Sequence, residues 1–300
     1  MASLFYWVLN ISILGGVTGT VIVLLRLIKK IPRRVIFLLW SIPLLRFWIP
    51  FGLRNEFSLL AILSVFWGRP VSSFPSREHF AAHNFLSIAE RYFPLTLPEG
   101  GWQDFFLVAG IIWICGAAVL FIGMVGHYWG IRRQLRNALP LGDHCFSTEH
   151  LLSPAVFGIL HPKIYFPKDN TEREKKWVLL HEKEHIRRRD HFWRFLGIVT
   201  CCIHWFNPLA WFFLSCAIDD MEYACDEGVV RRCGPACKKE YALALAQYHS
   251  SASSGLSFRG GKLRKRVVRI LQFRKLPLYS GVAMLVFLVA IFIFLLTNAG

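Results

Sequence analysis

Four stretches of this chain are long and apolar enough to cross a lipid bilayer, and they constrain its fold more than any other feature. Inside hydrocarbon each backbone polar group needs an internal partner, so a span is a helix of about 20 mostly apolar residues. Residues 2–25 and 278–297 meet this without a single charge. Residues 105–129 meet it with only His127 near the end, and residues 35–53 carry Arg46 and two prolines. The first run has no positive start before its apolar part, so it reads as an anchor rather than a cleaved signal. Composition agrees: 54% of residues are hydrophobic and 18% charged, against about 25% charged in soluble domains. Intrinsic disorder and a small disulfide scaffold are excluded.

Basic residues set the expected orientation, since cytoplasmic loops collect Lys and Arg. The first link holds Arg26, Lys29, Lys30, Arg33 and Arg34 with no acid. The loop 54–104 holds 4 basic and 5 acidic residues, whereas 130–277 holds 25 and 14. We therefore expect a multi-pass protein of the cell membrane with four transmembrane helices. The N-terminus and loop 54–104 lie outside, and the domain 131–277 is cytoplasmic. The basic run Arg259, Lys262, Arg264, Lys265, Arg266, Arg269, Arg274 and Lys275 precedes the last span. It reads as an anchor on anionic lipid and not as a direct nucleic-acid site. All 8 cysteines fall in spans or on the cytoplasmic side, which fits free thiols. The Ser/Gly-rich stretch 250–261 reads as a flexible linker.

Chemistry enters at His181-Glu182-Lys183-Glu184-His185, an H-E-x-x-H. On a helix, positions i and i+4 share a face about 6 Å apart along the axis. Two imidazoles so placed can converge on one Zn²⁺, and the intervening Glu182 faces the open position as general base. Taken alone, the pattern also fits a polar helix face with two uninvolved histidines. Downstream, Glu222 and Asp226 are four apart. Glu222 would complete a His₂Glu site, and Asp226 would orient an imidazole through its second N–H. Asp190 is a further candidate for that orienting role, or else a surface partner of Arg187 or Arg194. The alternative for Glu222 and Asp226 is an acidic face paired with nearby bases.

A shared metal forbids the apolar stretch 195–217 from spanning, because His185 and Glu222 would then lie on opposite sides of the bilayer. Asn207-Pro208 resists helix continuation. The expectation is a membrane-associated helical hairpin over 192–217 turning near Phe206 and Pro208. Tyr223 and His204 are the candidates for a second oxyanion donor. The segment 159–167, bounded by prolines, reads as an edge strand able to receive a substrate as an added strand, or else as a plain structural hairpin.

Four blocks, in order, carry a resemblance. They are Ser153-Pro154-Ala155-Val156-Phe157-Gly158 through Pro167; H-E-x-x-H followed by Ile186-Arg187-Arg188-Arg189-Asp190; Trp205-Phe206-Asn207-Pro208; and Glu222-Tyr223-Ala224-Cys225-Asp226. The chain resembles the membrane zinc metallopeptidases of the BlaR/MecR family, the peptidase part of beta-lactam sensor-transducers. The resemblance implies a mainly α membrane protein with four transmembrane helices and a cytoplasmic gluzincin-like α+β peptidase domain containing a small sheet. It implies a zinc metalloendopeptidase with ligands His181, His185 and Glu222, base Glu182, and Asp226 and Asp190 behind the ligands. It implies signal transduction by cleavage of a cytoplasmic protein, such as a DNA-binding repressor in antibiotic-resistance regulation, with self-cleavage and homo-oligomerisation as further possibilities. The family's extracellular penicillin-binding domain would follow the last span, where only residues 298–300 stand here. The expectation is either a relative without that sensor or a sequence cut before it. Two other readings stay open: a non-enzymatic polytopic receptor or scaffold, and a site-2-type intramembrane protease.

Overall fold

A computed structural model of the chain describes residues 2–28, 31–49, 103–142, 144–149, 151, 154–168, 172–252, 257–273 and 278–296. The expected outer loop, apart from its last two residues, lies outside them. The fold is mostly helical with one small mixed sheet. Its helices are α1 (Ala2–Arg26), α2 (Arg33–Leu39), α3 (Ser41–Trp48), α4 (Gln103–Gln134), α5 (Glu172–Arg188), α6 (Asp190–Ile203), α7 (Pro208–Cys233), α8 (Lys238–Ala252), α9 (Ser257–Gln272) and α10 (Leu278–Leu296). Strands β1 (Leu139–Gly142), β2 (Cys145–Thr148), β3 (Ala155–Phe157) and β4 (Lys163–Pro167) lie between α4 and α5.

Among the described residues two helices are long and apolar enough to cross a membrane, Leu4–Arg26 and Asp104–Asn137, with a shorter apolar helix at Val286–Leu296. The expected second span is not one continuous helix. It breaks at Trp40 into α2 and α3. Pro43 has no N–H to give the carbonyl four residues back, and its ring crowds that position. Arg46, the one charge in this stretch, is buried and donates from Nε to the carbonyl of Leu295 at 3.0 Å. It thereby satisfies an end carbonyl of α10 that has no partner within its own helix. The Ser/Gly-rich stretch is shorter than expected as a linker, because α8 runs to Ala252 and α9 starts at Ser257.

The chain does reverse where Asn207-Pro208 stands. Pro208 occupies the first turn of α7, where its missing N–H costs nothing. The Asn207 side chain caps the helix by accepting the Leu209 amide at 2.9 Å, and its Nδ2 holds Ser12 Oγ of α1 at 2.8 Å. Helix α7 then runs 26 residues, about 39 Å at 1.5 Å per residue. It joins two cores. One gathers Ile22, Ile36, Ile42, Phe213 and Leu295 from α1, α2, α3, α7 and α10. The other gathers Trp177, Val229, Tyr241, Leu245 and Ile270 from α5, α7, α8 and α9.

Helices α5 and α7 cross on small residues. Ala224, Cys225 and Gly228 are buried there. A Cβ on Gly228 would stand 2.2 Å from Glu184 Oε1 and 2.6 Å from its Cδ. That carboxylate is pinned by ion pairs with Arg187 and Arg232 and cannot simply swing away. Gly228→Ala is therefore expected to destabilise the protein by about 1–3 kcal/mol, as overpacking does. Thermal unfolding of the purified chain in detergent measures this.

The sheet order is β1-β2-β4-β3, with β2 and β4 parallel and the outer pairs antiparallel. This corrects the expected edge strand. Lys163–Pro167 is interior, paired on both sides, and the edge is β3. The reversal between them turns on Gly158, whose φ is +114° and where a Cβ would meet the His161 carbonyl at 2.5 Å. Only glycine accommodates both that dihedral and that approach.

Candidate metal centre

The C-terminal half of α5 carries both histidines. His181 and His185 project from one face, and their Nε2 atoms lie 3.1 Å apart. From α7, Glu222 brings Oε2 to 3.5 Å from His181 Nε2 and Oε1 to 3.7 Å from His185 Nε2. Ligands about 2.0–2.1 Å from a tetrahedral ion stand about 3.3–3.4 Å apart. The two nitrogens and the Glu222 carboxylate therefore converge at the spacing one zinc ion needs, and the donor set is chemically suited to it.

A different group, His181, His185 and Cys225, also offers ligand atoms within 4.8 Å of one another. Cys225 Sγ, however, lies 3.4 Å from His181 Nδ1, on the back of the ring. That nitrogen already meets the Tyr241 hydroxyl at 2.9 Å. The Nε2 side, facing Glu222, fits an ion better.

The Nδ1 atom of each ring is held from behind, which turns each Nε2 toward Glu222. His185 Nδ1 meets Asp190 Oδ2 at 2.7 Å. Asp190 is buried, so it is no surface partner for Arg187 or Arg194. It returns to the histidine because Arg189 adopts a left-handed conformation, φ 56° and ψ 36°, which ends α5 and starts α6. His181 Nδ1 reaches Asp226 indirectly. Tyr241 accepts from the ring and donates to Asp226 Oδ1 at 2.7 Å.

Burial opposes charge on His181 and His185. The Cys225 sulfur and hydrogen bonds to Glu222, with Asp190 adding to His185, outweigh it and raise both imidazoles above the ordinary histidine range. Burial also pushes the Glu222 carboxyl up, but hydrogen bonds from the two rings and the charge of Arg266 hold it well below the usual range. Glu182 is raised, chiefly by burial, against the pull of His181 and His185. Such a cluster is electrostatically prepared for a cation.

The centre opens into a cleft of about 360 Å³. Glu182, His191, Arg194 and Arg266 supply its polar lining, Trp177, Val178 and Leu245 its apolar wall, and Pro154–Val156 of the β3 edge one rim. Tyr223 and His204 are not in it. Tyr223 lies under the Arg269 guanidinium at 4.9 Å, and His204 Nε2 is bonded to the Phe47 carbonyl at 3.0 Å.

This chain matches the BlaR1 peptidase M56 family over residues 6–268. It belongs to that family. It is 30% identical over 147 residues to the regulatory protein BlaR1 of Bacillus licheniformis, covering 45% of this chain and 24% of that protein. It is 27% identical over 88 residues to the methicillin resistance mecR1 proteins of Staphylococcus aureus and Staphylococcus epidermidis, covering 28% of this chain and 15% of theirs. The chain thus spans a quarter or less of the relatives it matches. The metal centre and its cleft fall inside the M56 match.

Three members of the site were not legible as such in the sequence: Arg266, Tyr241 and Cys225. Arg266 was read with the lipid-facing basic run. In the structure it is buried, with Nε and Nη2 each 2.8 Å from the Asp226 carboxylate and Nη1 3.3 Å from Glu222 Oε2. A signal existed in the period of α9, where Arg266 shares the inward face with Ile270.

Proposed function

We propose that this M56 peptidase is a membrane-anchored zinc metalloendopeptidase of the gluzincin kind that relays a signal by cleaving a cytoplasmic protein. The observation that carries the reading is the convergence of His181 Nε2, His185 Nε2 and the Glu222 carboxylate, the two nitrogens 3.1 Å apart and the carboxylate oxygens Oε2 and Oε1 at 3.5 and 3.7 Å from them. A zinc ion held there would polarise the scissile carbonyl and acidify a water. Glu182, which lines the cleft beside the ligands, would accept a proton from the attacking water and deliver it to the leaving amine, a role its raised affinity for protons favours. The β3 rim gives an extended substrate a strand to pair with beside the centre.

The substrate we propose, on the resemblance to the BlaR/MecR family, is a repressor-type cytoplasmic protein, with self-cleavage a second outcome. Four spans, an external N-terminus and a cytoplasmic peptidase domain remain our topology. The helix that carries the histidines is polar, with Lys183 exposed. This supports a centre beneath the membrane over a site-2-type intramembrane one.

Metal analysis of the full chain in detergent tests the reading. One zinc per chain is expected, lost in His181→Ala, together with cleavage of a cytoplasmic repressor-type protein by the zinc-loaded form. A chain that takes up no zinc, or keeps it without His181, would leave the receptor or scaffold reading in its place.

A further inference from the structure

The basic run before the last apolar helix contains one arginine that behaves unlike its neighbours. Arg264 and Lys265 are exposed, and Lys262 meets Asp219 at 2.7 Å on the outside. Arg266 instead turns inward and is buried between α7 and α8. Its fork grips both oxygens of Asp226, its third nitrogen reaches Glu222, and Nη2 stands 3.3 Å from His181 Nε2. We propose that Arg266 is a positioning residue of the metal centre, which acts through Asp226 and Glu222 rather than on substrate. This rests on the metallopeptidase reading above.

The chemistry requires an arginine. Asp226 and Glu222 are one turn apart on α7, and both carry negative charge into a buried site. A planar guanidinium can hold one carboxylate with two parallel N–H bonds and still present a third nitrogen to the other. A lysine ammonium is a point charge and cannot do both. Held this way, Asp226 accepts the Tyr241 hydroxyl proton, and Tyr241 in turn accepts from His181 Nδ1. The chain Arg266–Asp226–Tyr241–His181 thus fixes which ring nitrogen of His181 faces Glu222. The second link, Arg266 to Glu222, holds the carboxylate beside both imidazoles.

Groups behind metal ligands typically carry about 10–100-fold in affinity or activity. The test compares Arg266→Gln, Arg266→Lys and Lys262→Gln in the full chain. Zinc affinity is measured by chelator competition, and kcat and KM on one cleavable protein. Arg266→Gln is expected to weaken zinc binding and to lower kcat, each by about 10–100-fold, with KM little changed. Arg266→Lys should recover only part of either, and Lys262→Gln, which removes the same charge from the same run, should match the parent.

Parent-like zinc affinity and kcat in Arg266→Gln would overturn the proposal, as would equal losses in Lys262→Gln. If Arg266→Gln does not fold, Asp226→Asn/Arg266→Gln removes both buried charges and carries the test. Weakened zinc binding is expected there too, and parent-like binding overturns the role. The metallopeptidase reading fails separately, if the parent itself binds no zinc through His181.

Discussion

Glu182→Gln is expected to keep one zinc per chain and to lower the cleavage rate by about 10²–10⁴-fold, the usual contribution of a positioned general base. The amide has the size of the carboxylate but cannot take a proton. The proposed metal ligands His181, His185 and Glu222 do not include this side chain, so metal content separates loss of chemistry from loss of the site. Glu184→Gln is the matched comparison two residues away. Glu184 is buried against Gly228 and paired with Arg187 and Arg232, and it does not line the cleft. Its substitution should reduce stability and spare the rate of the folded fraction. A Glu182→Gln protein that holds zinc and cleaves at the parent rate would remove the base assignment.

What the sequence made legible, and what it hid, follows from how local each signal is. The i, i+4 spacing of His181 and His185 is a property of one helix, and Asn207-Pro208 marks a reversal through its own backbone chemistry. Together they sufficed to place Glu222 near the histidines. Asp190 was harder to rank. On a helix continued through Arg189 it would point well away from His185. Only the left-handed turn at Arg189 brings it back, and nothing about an arginine announces that conformation. The strand at Lys163–Pro167 was visible from its residues, but its neighbours were not, since pairing partners are non-local. Arg266 was hidden among like charges. Which member of a basic run turns inward is decided by how α9 packs on α7 and α8. Pro43 could have warned that residues 35–53 would not form one straight span, because a proline within a helix kinks or breaks it.

Asp220→Ala is expected to cost about 3–5 kcal/mol, the range for removing one partner of a buried charge cluster. Asp220 is fully buried on α7, forms an ion pair with Arg26, whose Nε lies 2.7 Å away, and accepts hydrogen bonds from Arg33 Nη1 at 3.1 Å and Trp40 Nε1 at 2.9 Å. Without it, two guanidiniums from the ends of α1 and α2 are left together, and Arg33 is buried. Two turns further along the same face, Glu227 accepts the Arg33 and Arg34 amides at 3.1 and 3.4 Å, so a carboxylate of α7 also caps the start of α2. Asp220 and Glu227 thus lock the first link onto the helix whose other face presents Glu222 and Asp226 to the metal centre. With a typical folding margin of about 5–15 kcal/mol, losing Asp220 should lower the unfolding temperature sharply and, through α7, loosen zinc. Asp219→Ala breaks an exposed pair with Lys262 on the same helix turn and should cost less than about 1 kcal/mol. Thermal unfolding of the two variants in detergent decides the matter: equal stability would mean that α7 is not anchored through Asp220.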